Sequence, residues 1–217
     1  MKLIEVETKD QIADVMVGFI LDKTDDLKEN EYLKVGIGHG INIEALIKLL
    51  KVQLENEQLN SKQVVFYALN NFINEQPNTG FNKYYQDLEP FQIEYLNENN
   101  NQIDLDIVIV EMNKKGDITI NYKDIAFEDK LQLLNIEDVK TDLSSLNDNK
   151  YEKIFDIGYA NILNAKEIYV LASEDGIDET IKEFFEGYES TEIMVSNLFT
   201  HKNVTVISDE QSTRLLD

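Results

Sequence analysis

The segment Val35–Leu50 reads VGIGHGINIEALIKLL, a short apolar strand, a glycine-spaced loop and then an amphipathic helix. That order makes an anion site, because the free N–H groups of a helix start point toward the loop before it. Gly36, Gly38 and Gly40 let a ligand approach the backbone closely. His39 and Asn42 are the polar side chains of the same stretch, with Asn42 expected to cap the helix. A cationic histidine is disfavoured at a helix start, so His39 is expected to be neutral unless an anion sits beside it. The same glycines would also serve a plain strand-to-helix turn. Further along, Glu111 ends an apolar run and offers a carboxylate for acid–base work, although a carboxylate at a strand end can equally be just solvated. Lys114-Lys115-Gly116-Asp117 places two cations and a carboxylate in one tight turn. That turn reads either as a phosphate-and-base pair or as a β-turn with solvated lysines.

The bulk composition limits what these residues can serve. Lys and Arg number 20 against 42 Asp and Glu, a formal charge of -22. Nucleic acids and anionic membranes bind through clustered cations, so neither is expected as a partner. There is no cysteine, and His39 and His201 are the only histidines, so no disulfide and no metal site are expected. Arg214 is the single arginine, so any anionic ligand must rely on lysines and backbone N–H groups unless the tail folds back. No stretch approaches the roughly 18 apolar residues of a membrane span. The opening Lys2–Val6 alternates like a strand and does not resemble a signal peptide, so a cytoplasmic location is expected.

The elements that must hold these residues follow from hydrophobic period. Thr8-Lys9-Asp10-Gln11 has the form of a capping box, with Ile12, Val15, Met16, Phe19 and Ile20 as one buried face beyond it. Tyr32–Ile37 reads as a strand, and Ile43, Leu46, Ile47, Leu50 and Leu54 mark the next helix. Gln63–Leu69 is nearly continuous in apolar residues, as in a strand covered on both faces. Further strands are expected at Leu105–Val110, Ile118–Asn121, Leu131–Leu134, Ile154–Ile157, Glu167–Ala172 and Val204–Ile207, the last closing the sheet. A loop holds Pro77 and Gly80, 97–101 is a polar turn and 142–150 a polar loop. A helix runs from Ile177 through Phe185 and ends at Gly187, and a short one covers Ile193–Phe199. Strands alternating with helices predict an α/β fold, a doubly wound, mostly parallel sheet with helices on both faces, Rossmann-like, in one domain over residues 1–217. Ligands in such sheets sit at the carboxyl ends of the strands.

The loops at those strand ends carry a resemblance. The opening KLIEV, VGIGHG in the glycine loop, QVVFYALNNF at the third strand, KGDITIN and the ending SNLFTHKNVTVISDEQST occur in the order and spacing of the glucosamine-6-phosphate deaminase/6-phosphogluconolactonase family. The pair Tyr84-Tyr85 is similar to the deaminase branch, which includes the galactosamine-6-phosphate isomerases. The resemblance implies a sugar-phosphate isomerase-like protein of carbohydrate metabolism, with a sugar phosphate or related anion as ligand, no cofactor, and self-association into homo-oligomers.

It also implies a site from which this chain departs. The hydroxyl positions of the family's phosphate loop fall on His39, Ile41 and Asn42. The acidic pair after the third strand becomes Asn70-Asn71, and an amide cannot take up a proton near neutral pH. Asn70 can still hydrogen-bond a sugar hydroxyl. In the family's Asp-Gly-His motif, Lys115 stands at the Asp and Asp117 at the His, with Gly116 kept. Asp175 stands where a deaminase offers a phosphate-binding lysine. The resemblance therefore implies a catalytically degenerate, sugar-phosphate-binding relative. The alternatives are an active isomerase using Asp117 or Glu111 as base with Lys114 or Lys115 on the phosphate, and a 6-phosphogluconolactonase.

Overall fold

The computed structural model describes residues 1–73, 85–97, 103–118, 130–139, 151–187 and 194–216. Its strands are β1 (Lys2–Val6), β2 (Leu33–Ile37), β3 (Val64–Ala68), β4 (Asn70–Ile73), β5 (Gln92–Tyr95), β6 (Ile107–Glu111), β7 (Gln132–Asn135), β8 (Lys153–Asp156), β9 (Glu167–Ala172) and β10 (Val204–Asp209). The α-helices are α1 (Asp10–Asp25), α2 (Ile41–Glu55), α3 (Tyr159–Leu163), α4 (Asp178–Glu186) and α5 (Glu210–Thr213). The loop expected around Pro77 and Gly80, Tyr84, most of the 97–101 turn, the strand expected beyond Ile118 and the 142–150 loop lie outside the described residues.

Seven strands form one sheet in the order β1-β10-β9-β6-β2-β3-β5, and every neighbouring pair is parallel. Its central strands are buried on both faces, which explains their unbroken apolar runs. On β6, Ile107 and Ile109 join the core beneath α1 and α2, while Val108 and Val110 point into the opposite core with α4. The α1 stripe is Ile12, Ala13, Met16, Val17 and Ile20, with Val15 and Phe19 only half-buried. Only half of the capping box forms: the Thr8 N–H donates to Gln11 Oε1 at 3.1 Å, and no side chain caps the helix. Gly187 takes the left-handed conformation that ends α4, at φ 74°. The expected short helix near Ile193 is a 3-10 helix over Met194–Thr200.

Two departures from the sequence reading alter the site. β10 does not close the sheet at an edge but lies between β1 and β9. After β3 the chain does not enter a loop. Residues Asn70–Ile73 form β4, which pairs antiparallel with β8, and β8 with β7, in a separate three-stranded sheet. Phe72, Tyr151 and Ile154 join that sheet to the α1–α2 core, with the Phe72 and Tyr151 rings 5.0 Å apart.

The connections leaving β2 and β6 run in opposite directions. From β2 the chain passes through α2 to β3, whereas from β6 it next enters this sheet at β9, on the other side. The crevice between the carboxyl ends of β2 and β6 is thus the topological switch point, the place where doubly wound sheets bind ligands.

Candidate functional site

The glycine loop fills that crevice, but its three glycines do different work. Gly36 is buried inside β2, where a Cβ would lie 2.7 Å from Leu105 Cδ1 and 2.8 Å from Leu69 Cδ2. It makes room for packing and is corrected from a ligand contact to a core position. Gly38 donates its N–H to the Ile109 carbonyl at 2.9 Å, and its carbonyl accepts the Tyr85 hydroxyl at 3.0 Å. Gly40 flanks α2 with φ 146°, and a Cβ there would lie 2.0 Å from Glu111 Oε2.

Asn42 is not the cap of α2. It lies within the first turn, one residue after Ile41, and is nearly fully buried. The group that caps this helix comes from across the crevice. Glu111 Oε2 accepts the N–H of Asn42 at 2.9 Å and of Ile43 at 3.4 Å, and Oε1 accepts Asn42 Nδ2 at 3.0 Å. The anion held at this helix start is therefore the chain's own carboxylate, a favourable place for negative charge. Burial nevertheless pushes the Glu111 carboxyl up to about 7, against the opposing pull of the hydrogen bonds from Ile43, Asn42 and Ile41. Ser173, just past β9, extends the network: its hydroxyl lies 2.9 Å from Asn42 Nδ2 and 3.1 Å from Asn42 Oδ1.

A second chain of hydrogen bonds begins at His39. Its Nδ1 lies 3.3 Å from Asn70 Oδ1, and Asn70 Nδ2 donates to Asp156 Oδ1 at 2.6 Å. Asp156 Oδ2 accepts the Gly158 N–H at 3.0 Å. Because the Asn70 amide N–H is directed at a carboxylate, its oxygen faces the imidazole, and His39 carries its proton on Nδ1. Burial pushes His39 down to about 4, outweighing the hydrogen bond it donates to Asn70, although the ring keeps some contact with solvent. The neutral histidine expected from the sequence is thus found, held so by desolvation. Asn70 and Asp156 are fully buried, at 1% and 0% exposure, so the amide is a fixed spacer between ring and carboxylate.

The Lys114–Asp117 turn is closed on itself. Asp117 accepts Asn113 Nδ2 at 3.2 Å, and its N–H donates to Asn113 Oδ1 at 3.1 Å. Gly116 has φ 79°, which the turn requires. Lys114 meets Glu174 twice, through its N–H at 2.7 Å and its Nζ at 3.8 Å. Lys115 is exposed and donates its N–H to Asn113 Oδ1 at 2.9 Å. The structure therefore joins Glu111 with Gly40 and Asn42, and His39 with Asn70, while Asp117 and Lys115 bond to Asn113 in their own turn and Lys114 pairs with Glu174. His201 is structural: Nε2 lies 2.8 Å from the Ala165 carbonyl, and Nδ1 accepts the Asn203 N–H at 3.2 Å.

Asp156 and Ser173 are the site residues that the sequence did not single out, and Tyr85 was noted only for its branch resemblance. Asp156 had a faint signal, an acid at the end of an apolar strand two residues before Gly158. Ser173 had none, because its role depends on strand order.

No protein-family model matches the chain. It is 31% identical over 116 residues to the glucosamine-6-phosphate deaminase of Halothermothrix orenii, covering 52% of this chain and 48% of that enzyme. Over 60 residues it is 43% identical to the glucosamine-6-phosphate deaminase of Lactobacillus delbrueckii subsp. bulgaricus, covering 28% of this chain and 26% of the relative. The chain thus spans about half, or less, of the length of the curated relatives it matches. Its fold superposes on a monomeric glucosamine-6-phosphate deaminase with a TM-score of 0.78 at 20% identity, over 99% of this chain and 100% of that one. On the 6-phosphogluconolactonase of Trypanosoma cruzi the TM-score is 0.73 at 13% identity, over 99% and 96%. At such identities the superpositions speak for the fold. Together with the sequence matches they support homology to the deaminase–lactonase superfamily at moderate identity.

Proposed function

We propose that this chain is a divergent, non-catalytic relative of the glucosamine-6-phosphate deaminases, a sugar-phosphate-binding protein in which Glu111 competes with the ligand's phosphate. The observation that carries this reading is the Glu111 carboxylate seated on the α2 N-terminus, 2.9 Å from the Asn42 N–H. Both of its oxygens accept hydrogen bonds from Asn42, which ties the carboxylate to the helix start. The second support is Asn70, an amide held between His39 and Asp156. A proton-transfer group at such a position contributes about 10²–10⁴-fold to rate, and an amide contributes none of it.

A second reading has one specific observation in its favour. A carboxyl group pushed up to about 7 in the switch-point crevice has the proton affinity of a general acid–base catalyst at neutral pH. On that reading Glu111 is the base of an active aminosugar-phosphate isomerase.

One experiment separates the two. Purified protein and its Glu111→Ala variant are assayed for ammonia release from glucosamine-6-phosphate and galactosamine-6-phosphate, and for thermal stabilisation by both sugars. The first reading expects no ammonia from either protein and a larger shift in Glu111→Ala, whose helix start is open. Ammonia release by the wild type that disappears in Glu111→Ala establishes the second reading and removes the first.

A further inference from the structure

Beside the switch point, on the far side of Ser173, a cleft of about 260 Å³ opens at the carboxyl ends of β9 and β10. Two of its lining side chains are more than nine-tenths buried and hold polar atoms with no partner among the described residues. Asp209 is 7% exposed, and its Oδ1 accepts the Ser212 N–H at 2.9 Å, while its Oδ2 meets no donor among the described residues. Ser212 is 5% exposed, and its hydroxyl likewise has no partner among the described residues. Buried polar atoms are almost always hydrogen-bonded, so an acceptor and a hydroxyl left over side by side call for an external partner.

The surrounding charge decides which partner. Glu174, Asp175 and Asp178 line the same cleft with Asp209, against Lys9 and Arg214 as the only lining cations. The tail does fold back, but Arg214 is spent on Asp178, with Nε at 2.9 Å and a terminal nitrogen at 2.8 Å from Oδ2. The chain's one guanidinium is therefore held against Asp178, which offsets part of its charge toward an anionic ligand. A phosphate here would meet a net negative wall in a molecule of formal charge -22. Among the described residues no three Asp, Glu or His side chains are grouped to hold a metal ion, and a primary ammonium, a cation that donates up to three hydrogen bonds, matches a carboxylate oxygen beside a hydroxyl. The volume is just below the usual range for ligand pockets, about 300–1,000 Å³, and so suits a single small molecule.

We infer that this cleft binds a small hydroxylated primary amine, with the ammonium on Asp209 Oδ2 and a hydroxyl on Ser212. The inference goes beyond the reading above, since the cleft adjoins the α2 N-terminus through Ser173 but selects the opposite charge. It holds whether or not the chain turns over an aminosugar phosphate.

The test uses a pair of probes that share a three-carbon skeleton. Serinol (2-amino-1,3-propanediol) carries an ammonium where glycerol carries a hydroxyl. In amide NMR titrations of the full chain at low ionic strength, serinol should shift the resonances of residues 173–178 and 209–214, with millimolar affinity. Glycerol and inorganic phosphate should not shift them. Asp209→Asn keeps a helix-capping side chain of the same shape and should weaken serinol by about tenfold or more. Ser212→Ala should weaken it by less and leave the preference for serinol over glycerol. Equal binding of glycerol, binding of phosphate at these residues, no binding of serinol, or unchanged affinity in a folded Asp209→Asn would each overturn the inference.

Discussion

Glu111 and His39 have opposite protonation preferences. Burial raises the Glu111 carboxyl from its ordinary 4.5 to about 7, so the folded state binds this proton more tightly than the unfolded chain does. Its contribution to stability is full below about pH 4.5 and is lost as pH rises through about 7. Burial lowers His39 from 6.5 to about 4, so its contribution is full above about pH 6.5 and is lost as pH falls through about 4. Each is worth on the order of 3 kcal/mol, and over the shared window they oppose each other. Replacing one exposes the other. Relative to wild type, Glu111→Gln should become more stable as pH is raised from about 5 to 8, and His39→Gln should become less stable. Urea unfolding at several pH values measures both slopes, and slopes of the same sign would show that the two groups are not the balancing pair. At Asn70 the amide is what permits a carboxylate next door. Asn70→Asp puts two buried carboxyls at a separation now of 2.6 Å. It should cost about 3 kcal/mol at neutral pH and less in acid, without ammonia release from glucosamine-6-phosphate. Unfolding free energies at two pH values and the ammonia assay check this.

The β2–α2 connection is the element on which the site depends. Gly40 combines a φ of 146° with a Cβ position 2.0 Å from Glu111 Oε2, so Gly40→Ala meets both backbone strain and a collision. A loss of about 2–4 kcal/mol is expected in chemical denaturation. Adding Glu111→Ala should recover the part due to the collision and keep the part due to φ, so a double variant no more stable than Gly40→Ala would refute this geometry. The same connection shows what was legible beforehand. The strand, the glycine loop and the stripe Ile43, Leu46, Ile47, Leu50 and Leu54 follow from local period, and all are observed except that Leu54 is only half-buried. The cap was misread because Asn42 has a capping side chain, and nothing local reveals that Glu111, 69 residues away, reaches the helix first. β4 was missed for a similar reason. Asn-Asn after an apolar strand carries no strand signal of its own, and only pairing with β8 makes it extended. Parallel strands were recognisable one by one, but the position of β10 inside the sheet is a property of topology that no window of sequence contains.

At the scale of the whole molecule, charge is the dominant feature. A formal charge of -22 on 217 residues makes compaction work against self-repulsion. Added salt screens that repulsion, with a Debye length falling from about 30 Å at 0.01 M to about 8 Å at 0.15 M. The melting temperature should rise by a few degrees over that range in calorimetry. A fall would mean that ion pairs such as Lys23–Glu167, at 2.6 Å, outweigh the net charge. The ends of the chain add a constraint of a different kind. Among the described residues β1 lies at the sheet margin and pairs only with β10, while the Thr213 hydroxyl donates to Glu5. During synthesis, then, residues 2–6 emerge about two hundred residues ahead of the strand their backbone pairs with. Nascent chains halted before β10 emerges should keep β1 open to proteases and chaperones.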